Sequence, residues 1–424
     1  MISRRTLTAI GAGAAAVTLL AGCSSSPQSG GDSSKDDEKI QLRVLVNVTP
    51  NLTEDWWNEL VAPYEKAHPN VDVVIDNPGQ EGVSAAVPRL LAAGQAPDIV
   101  QSVAPSPELA EELVDLSDYD WATSGPLADQ YSIDGKYYMA GVGVQLQSLW
   151  FYNKDAFAEA GIDEVPTTVD ELTDDLGKLK DAGWTPILTG GDWMSSYALQ
   201  TLALPSVVGD NADWYADMND GKTTFSKSYG DYTELYADWI AEGYTNADAL
   251  GVKYVDAEQT FLSGGAAIYP MGSWFVGSEA KATDPAPIGV FRGPAVDGVK
   301  DPAMGANIAS PYVIMKESKH ADAAADLVEW LVTDEDAVMS QLEVDGNYRD
   351  GYEYDMTDLG KELLQIVSDT PASAYTPTGG GYGEKKLPDG YSGEINTQTQ
   401  ALLGGTSAAD VNSSMDAWFT ANIQ

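Results

Sequence analysis

Cysteine is almost missing from this chain: Cys23 is the only one in 424 residues. That rules out an internal disulfide framework and any zinc site built on paired thiolates. Histidine is nearly as scarce, with only His68 and His320. His68 closes a helical stretch and His320 follows Lys319 at a helix cap, so neither points to metal ligation or general-base work. Positive charge is also thin, at 23 Lys and Arg against 65 Asp and Glu, for a formal net charge of −42. Neutralising a phosphate backbone needs clustered basic side chains, so nucleic acid is excluded as a partner. The acidic excess serves solubility instead. No zinc spacing, P-loop or dinucleotide fingerprint occurs in a fitting strand-to-helix context, so neither a metal nor a cofactor is expected.

What apolar sequence there is at the front forms a leader. Arg4 and Arg5 precede a run from Leu7 to Leu20, too short to span a bilayer securely, and small residues follow. Leu19-Leu20-Ala21-Gly22-Cys23 resembles the bacterial lipobox, in which the thiol is acylated and becomes the mature N-terminus. Residues 1–22 are therefore read as a signal peptide, and Cys23 as a lipidation site holding the protein on the extracellular face of the cytoplasmic membrane. An ordinary signal peptide with an incidental cysteine is the alternative. Ser3, Arg4, Arg5 and Leu7 partly match a twin-arginine export signal, so the export route stays open. Residues 23–39 carry Ser, Gly and Asp with no apolar side chain to bury, and read as a flexible tether.

The remaining body is 43 % hydrophobic over the whole chain, with 11 Trp and 21 Tyr, enough to build real cores. It is too long for one core, and two lobes are expected. Strand-like Gln41–Val48, Val71–Ile75 and a third start at Pro97–Val100 alternate with helical patterns opening at Thr53 and Val83. Such alternation predicts parallel, doubly wound α/β sheets, in which ligands sit beyond the carboxyl ends of the strands. Asn47, Thr49, Gln80, Glu81, Gln101 and Ser102 fall on that rim. Tyr137–Tyr152 is a β-rich run broken by glycine, a candidate interlobe crossing, and helices are expected over 168–182, 195–204, 229–242 and 256–263. Tyr375–Tyr391 reads as a polar, glycine-rich surface loop.

Several segments resemble extracellular solute-binding proteins of ABC importers, the sugar-binding family that includes maltodextrin-binding proteins. YEKAHPNVDVVI (Tyr64–Ile75) is similar to the family's opening, and AAGQAPDIV (Ala92–Val100) to its G-x-x-P-D strand. LWFYNKDAFAEAGIDEVPTTVDEL (Leu149–Leu172) resembles its most diagnostic stretch, and FLSGGAAIYPMGSW (Phe261–Trp274) its F-x-x-G-x-A-A-M and G-x-W segments. AADLVEWLVTDEDAV (Ala324–Val338) and Leu403–Trp418 resemble two closing helices. The six occur in the family's order over most of the mature chain. Two stretches depart from the pattern. Gly141–Gln147 carries glycines and glutamines where relatives often have a carboxylate, and Gln101 replaces an aromatic.

The resemblance implies a type II periplasmic-binding-protein-like fold, with residues 40–144 plus 308–350 in an N-lobe and 145–307 plus 351–424 in a C-lobe. Crossings are expected near Gly143, Asn307 and Asp350. It further implies a monomeric, lipid-anchored receptor that closes on a carbohydrate, an oligosaccharide in the first instance, and delivers it to ABC transporter permease subunits without catalysis. Trp274 matches the family's stacking tryptophan, with a core tryptophan as the alternative. Trp193, after Gly190-Gly191-Asp192, matches a loop that often supplies a second aromatic, with Asp192 as a hydroxyl acceptor or a helix-start charge. Gln145 and Asn307 are amide candidates because one carboxamide both donates to and accepts from a polyol. Tyr382 is a candidate to close over the ligand. Two other classes compete: a secreted polysaccharide-degrading lipoprotein, and an adhesin or scaffold without a small-molecule pocket. Within the binding class, a non-sugar solute is the further alternative.

Overall fold

The computed structural model describes residues 39–79, 82–103 and 105–423. The leader, Cys23, the tether up to residue 38, Gln80 and Glu81 lie outside the described residues. The first strand, β1 (Ile40–Leu45), pairs in parallel with β2 (Val71–Asp76) from Ile40↔Val71 to Leu45↔Asp76, and with β3 (Ile99–Gln101) through Val44↔Ile99. Between β1 and β2 runs a helix, Glu54–Ala67, capped by the Thr53 side chain accepting from the Trp56 N–H, with Glu54 and Asp55 in its first turn. Its buried residues Trp57, Leu60, Val61 and Tyr64 recur at helical spacing and face the sheet. Trp56, beside Trp57, is only partly buried against the same core.

One core joins residues 42–142 to residues 309–344, and two others join residues 150–303 to 387–419 and residues 146–306 to 359–367. The fold is thus a two-lobed α/β structure. The second lobe's main ladder centres on β5 (Leu149–Asn153), flanked by β6 (Ile268–Met271) and β7 (Ile288–Arg292), both antiparallel to it. Here the expectation of parallel strands gives way to a mixed arrangement. β4 (Gly143–Leu146) leads into β5 through Gln147 and Ser148 alone yet belongs to a different sheet, and the partners of β5 lie more than a hundred residues further along the chain. Ser148 takes a left-handed φ of 57° to make that bend.

The three segments expected to cross between lobes lie side by side. β4 pairs antiparallel with β8 (Met304–Ala309), placing Val144 opposite Ile308 and Gln145 opposite Asn307. On its other edge, the Val144 N–H donates to the Tyr348 carbonyl at 2.7 Å and the Val144 carbonyl accepts from the Tyr348 N–H at 3.1 Å. Glycine is required at 143, where a Cβ would sit 2.5 Å from the Tyr348 carbonyl oxygen and 2.6 Å from Leu342 Cδ2.

The helices largely follow the sequence pattern. Val169–Asp181 opens on a Thr168/Glu171 capping box. The helix expected from Ser195 splits into a 3₁₀ turn, Trp193–Ser196, and a longer helix, Tyr197–Asp210. The segment read as a surface loop is instead tucked in. Thr376, Leu387 and Tyr391 are each 2 % exposed. The Tyr382 ring packs 4.8 Å from that of Tyr131.

Candidate functional site

A cleft of about 1000 Å³ is lined from both sides. The first lobe contributes Ser84, Val87, Ser102 and Ser106; the second contributes the Trp193 turn, Trp274 and the 378–393 segment. Gln145 and Asn307, paired across β4 and β8, form part of its lining.

Local sequence explains why the aromatic wall stands where it does. Asp192 caps the 3₁₀ turn: its Oδ1 accepts from the Met194 N–H at 3.2 Å and its Oδ2 from the Tyr254 N–H at 2.8 Å. Both carboxylate oxygens thereby serve the backbone and fix the loop that presents Trp193, which is 40 % exposed. Trp274 leads into the short helix Phe275–Lys281 and folds back over Gly272, where a Cβ would sit 1.9 Å from its ring. Trp193, Tyr197, Tyr254 and Trp274 form one aromatic cluster. The Trp193 ring lies 6.1 Å from Trp274 and 5.1 Å from Tyr254, and Tyr197 lies 6.2 Å from Trp274.

Beside the rings runs a chain of amides and hydroxyls. Tyr197 donates its hydroxyl hydrogen to Gln147 Oε1, and Gln147 Nε2 donates to Gln145 Oε1 at 3.2 Å. Gln200 Nε2 donates to Ser196 Oγ at 2.8 Å, and Ser196 donates to Asn396. Asn307 Nδ2 donates to Thr378 Oγ1 at 3.0 Å, and the Thr378 N–H returns a bond to Asn307 Oδ1 at 3.2 Å. Burial pushes the Tyr197 and Tyr382 hydroxyls well above the ordinary tyrosine range, so both remain neutral donors at physiological pH. Among the described residues the charged lining is confined to Glu108, Glu112, Lys386 and Asp389, and the last two pair with each other.

Of the sequence candidates, Gln145, Trp193, Trp274, Asn307 and Tyr382 line the cleft. Asn47, Thr49 and Gln101 do not; they are engaged locally. Asn47 Oδ1 accepts from the Val83 N–H at 3.3 Å, and its own N–H donates to Gln101 Oε1 at 3.4 Å. Thr49 Oγ1 accepts from the Asn51 and Leu52 N–H groups. Asp192 holds the loop from behind. Sequence reasoning passed over Tyr197, Gln147, Ser196, Gln200 and Asn396. The signal for Gln147 was present in the Gly141–Gln147 stretch, two residues beyond Gln145 on the same strand direction. Tyr197 was hidden because it opens a helix that is largely buried.

An apolar wall of tilted rings beside neutral amides and hydroxyls is suited to holding an uncharged, hydroxyl-rich molecule with exposed C–H faces. Three likenesses to known proteins bear on this. An uncharacterised ABC transporter extracellular-binding protein of Pyrococcus horikoshii is 25 % identical over 343 residues, covering 76 % of this chain and 75 % of that protein. The diacetylchitobiose binding protein DasA of Streptomyces coelicolor is 26 % identical over 362 residues, covering 78 % and 79 % respectively. The solved structure of a chitin oligosaccharide binding protein superposes with a TM-score of 0.77 at 21 % identity, over 91 % of this chain and 99 % of that one. The family description of bacterial extracellular solute-binding proteins matches residues 49–338. With its two α/β lobes and the cleft between them, the chain belongs to the bacterial extracellular solute-binding protein family.

Proposed function

We propose that the protein is a lipid-anchored receptor that captures a neutral oligosaccharide in the cleft and hands it, chemically unchanged, to the permease subunits of an ABC transporter. Cys23 carries the lipid, residues 24–39 tether the body, and the receptor acts as a single chain. Residues 40–144 with 308–350 close against residues 145–307 with 351–424, bending about the ladder at Val144. Trp274 provides the main stacking face, Trp193 meets the sugar beside it, and Gln145, Asn307 and Tyr382 bond its hydroxyls.

The observation that carries this reading is the meeting of Trp193, Tyr197 and Trp274 with the Gln145–Gln147 amides in one cleft of low charge. A sugar ring needs both a flat apolar platform and convergent polar groups. The diacetylchitobiose and chitin oligosaccharide specificities of similar proteins make those sugars the first to try. Closure follows from differential affinity, because only the closed state contacts the ligand from both lobes.

The test is a thermal-shift screen of the mature protein against diacetylchitobiose, longer chitin oligosaccharides and a panel of other neutral sugars. A ligand bound only by the folded state adds about 4 kcal/mol of stability at 1,000 times its Kd. A clear shift with at least one sugar, and its recovery intact after long incubation, is expected. No shift with any sugar contradicts the reading, and a shortened product identifies an enzyme.

A further inference from the structure

Behind the aromatic wall, outside the cleft lining, one side chain of the first lobe reaches into the second. Asn51 lies in the turn between β1 and the helix Glu54–Ala67, and is 6 % exposed. Its Nδ2 donates to the carbonyl oxygen of Trp274 at 3.1 Å. Its Oδ1 accepts from Lys281 Nζ at 3.3 Å and from Ser278 Oγ at 3.4 Å. One carboxamide therefore grips both ends of the short helix Phe275–Lys281, whose first residue follows the Trp274 ring.

The turn that carries Asn51 is itself fixed. Thr49 Oγ1 accepts from the N–H groups of Asn51 at 3.3 Å and Leu52 at 3.0 Å, Leu52 is buried in the first core, and the Trp57 indole anchors the Asn47 carbonyl at 3.0 Å. Trp274, in turn, packs against the second lobe's core. Each partner belongs to a different core, so this contact registers the position of one lobe on the backbone of the other. A buried carboxamide that loses its partners pays the desolvation of both its ends, which makes such a contact closer to two-state than graded.

We propose that Asn51 is a positioning residue for the sugar site, a latch that seats the Trp274 ring from the first lobe. This rests on the reading of Trp274 as the stacking platform. The side chain touches no ligand; it acts through the Trp274 backbone.

Two measurements test it. In titration calorimetry with diacetylchitobiose, or the neutral sugar that gives the largest thermal shift, Asn51→Ala is expected to weaken affinity about 10-fold. In a Trp274→Ala background the same change is expected to cost less than about 3-fold, because residues acting through one another are non-additive. A general structural role for Asn51 predicts equal losses in both backgrounds, and that additivity overturns the proposal. Independently of any ligand, amide hydrogen exchange across residues 272–281 should quicken in Asn51→Ala while residues 225–241 stay unchanged; unaltered exchange in 272–281 overturns the latch. Asn51→Ser carries the same expectations if the alanine variant does not fold. Native affinity for Trp274→Ala, or no sugar binding to the wild type, removes the platform reading itself, and the exchange result then decides alone whether Asn51 couples the lobes.

Discussion

Trp193 and Trp274 stand with ring centroids 6.1 Å apart and planes inclined at 53°. Two faces at that angle form a corner, so a flat sugar ring can lie against one while its edge meets the other. Aromatic side chains bring large contact areas at low rotamer cost, which is why a corner of this kind concentrates binding energy.

If the lobes close over that corner, the molecule becomes more compact on binding. Small-angle scattering of the mature protein with and without saturating sugar should show a smaller radius of gyration in the complex. An unchanged profile at proven saturation would remove closure from the account while leaving binding in place.

The ladder at Val144 has no room for side chains on its glycine. Gly143→Ala places a methyl group against the Tyr348 backbone and Leu342. Overpacking of this type costs about 1–3 kcal/mol, to be read from urea unfolding. Gly251→Ala, at a position with nothing within 4 Å of the added carbon, serves as control and should be close to neutral. Equal stability of the two variants would mean that the crossing strands yield more easily than their packing indicates.

How the chain folds was legible where one element decides its own form. The β1–helix–β2 unit follows from the apolar strands and from Thr53, Leu60 and Tyr64 in the helix. Pairing direction around β5 was not legible, because its partners β6 and β7 lie more than a hundred residues away and the strand's own residues do not name them. In the site, Trp193 and Trp274 announced themselves by the glycines before them. Asn47 and Gln101 sit at strand ends as expected, yet sequence does not show which way a carboxamide turns; here the Gln101 carboxamide accepts from the Asn47 backbone N–H and the Asn47 carboxamide from the Val83 N–H. Asn51 gave no sequence signal, since its partners are 223 and more residues away.

The polar cluster around Asn51 makes stability depend on pH. Burial, with some help from Glu258, pushes the Asp345 carboxyl up to about 6, against the opposing effects of Asn51 and Lys281. In the unfolded chain it titrates at about 4. The folded state therefore holds this proton more tightly, and the resulting stabilisation is complete below about pH 4 and is lost as pH rises through about 6. A shift of two units corresponds to roughly 3 kcal/mol. Measured by urea unfolding at pH 4 to 7, the stability of the wild type relative to Asp345→Asn should decline by up to that amount across the window. A flat difference would show that Asp345 titrates normally.

In the proposed function, membrane attachment rests on the single thiol. Stable anchoring takes more than one acyl chain, so losing the modified residue should release the whole body. Cys23→Ser is expected to move the protein from the membrane fraction to the supernatant. Retention in the pellet would contradict the lipobox reading.

The most direct measurement is isothermal titration of wild type and Trp274→Ala with the sugar identified in the thermal-shift screen. A stacking platform contributes about 2 kcal/mol or more, so the variant should bind roughly 30-fold more weakly or worse. Its circular dichroism and unfolding midpoint should stay near those of the wild type, because the ring faces the cleft. Native affinity in the folded variant would contradict the account, and a variant that unfolds would mark Trp274 as a core residue.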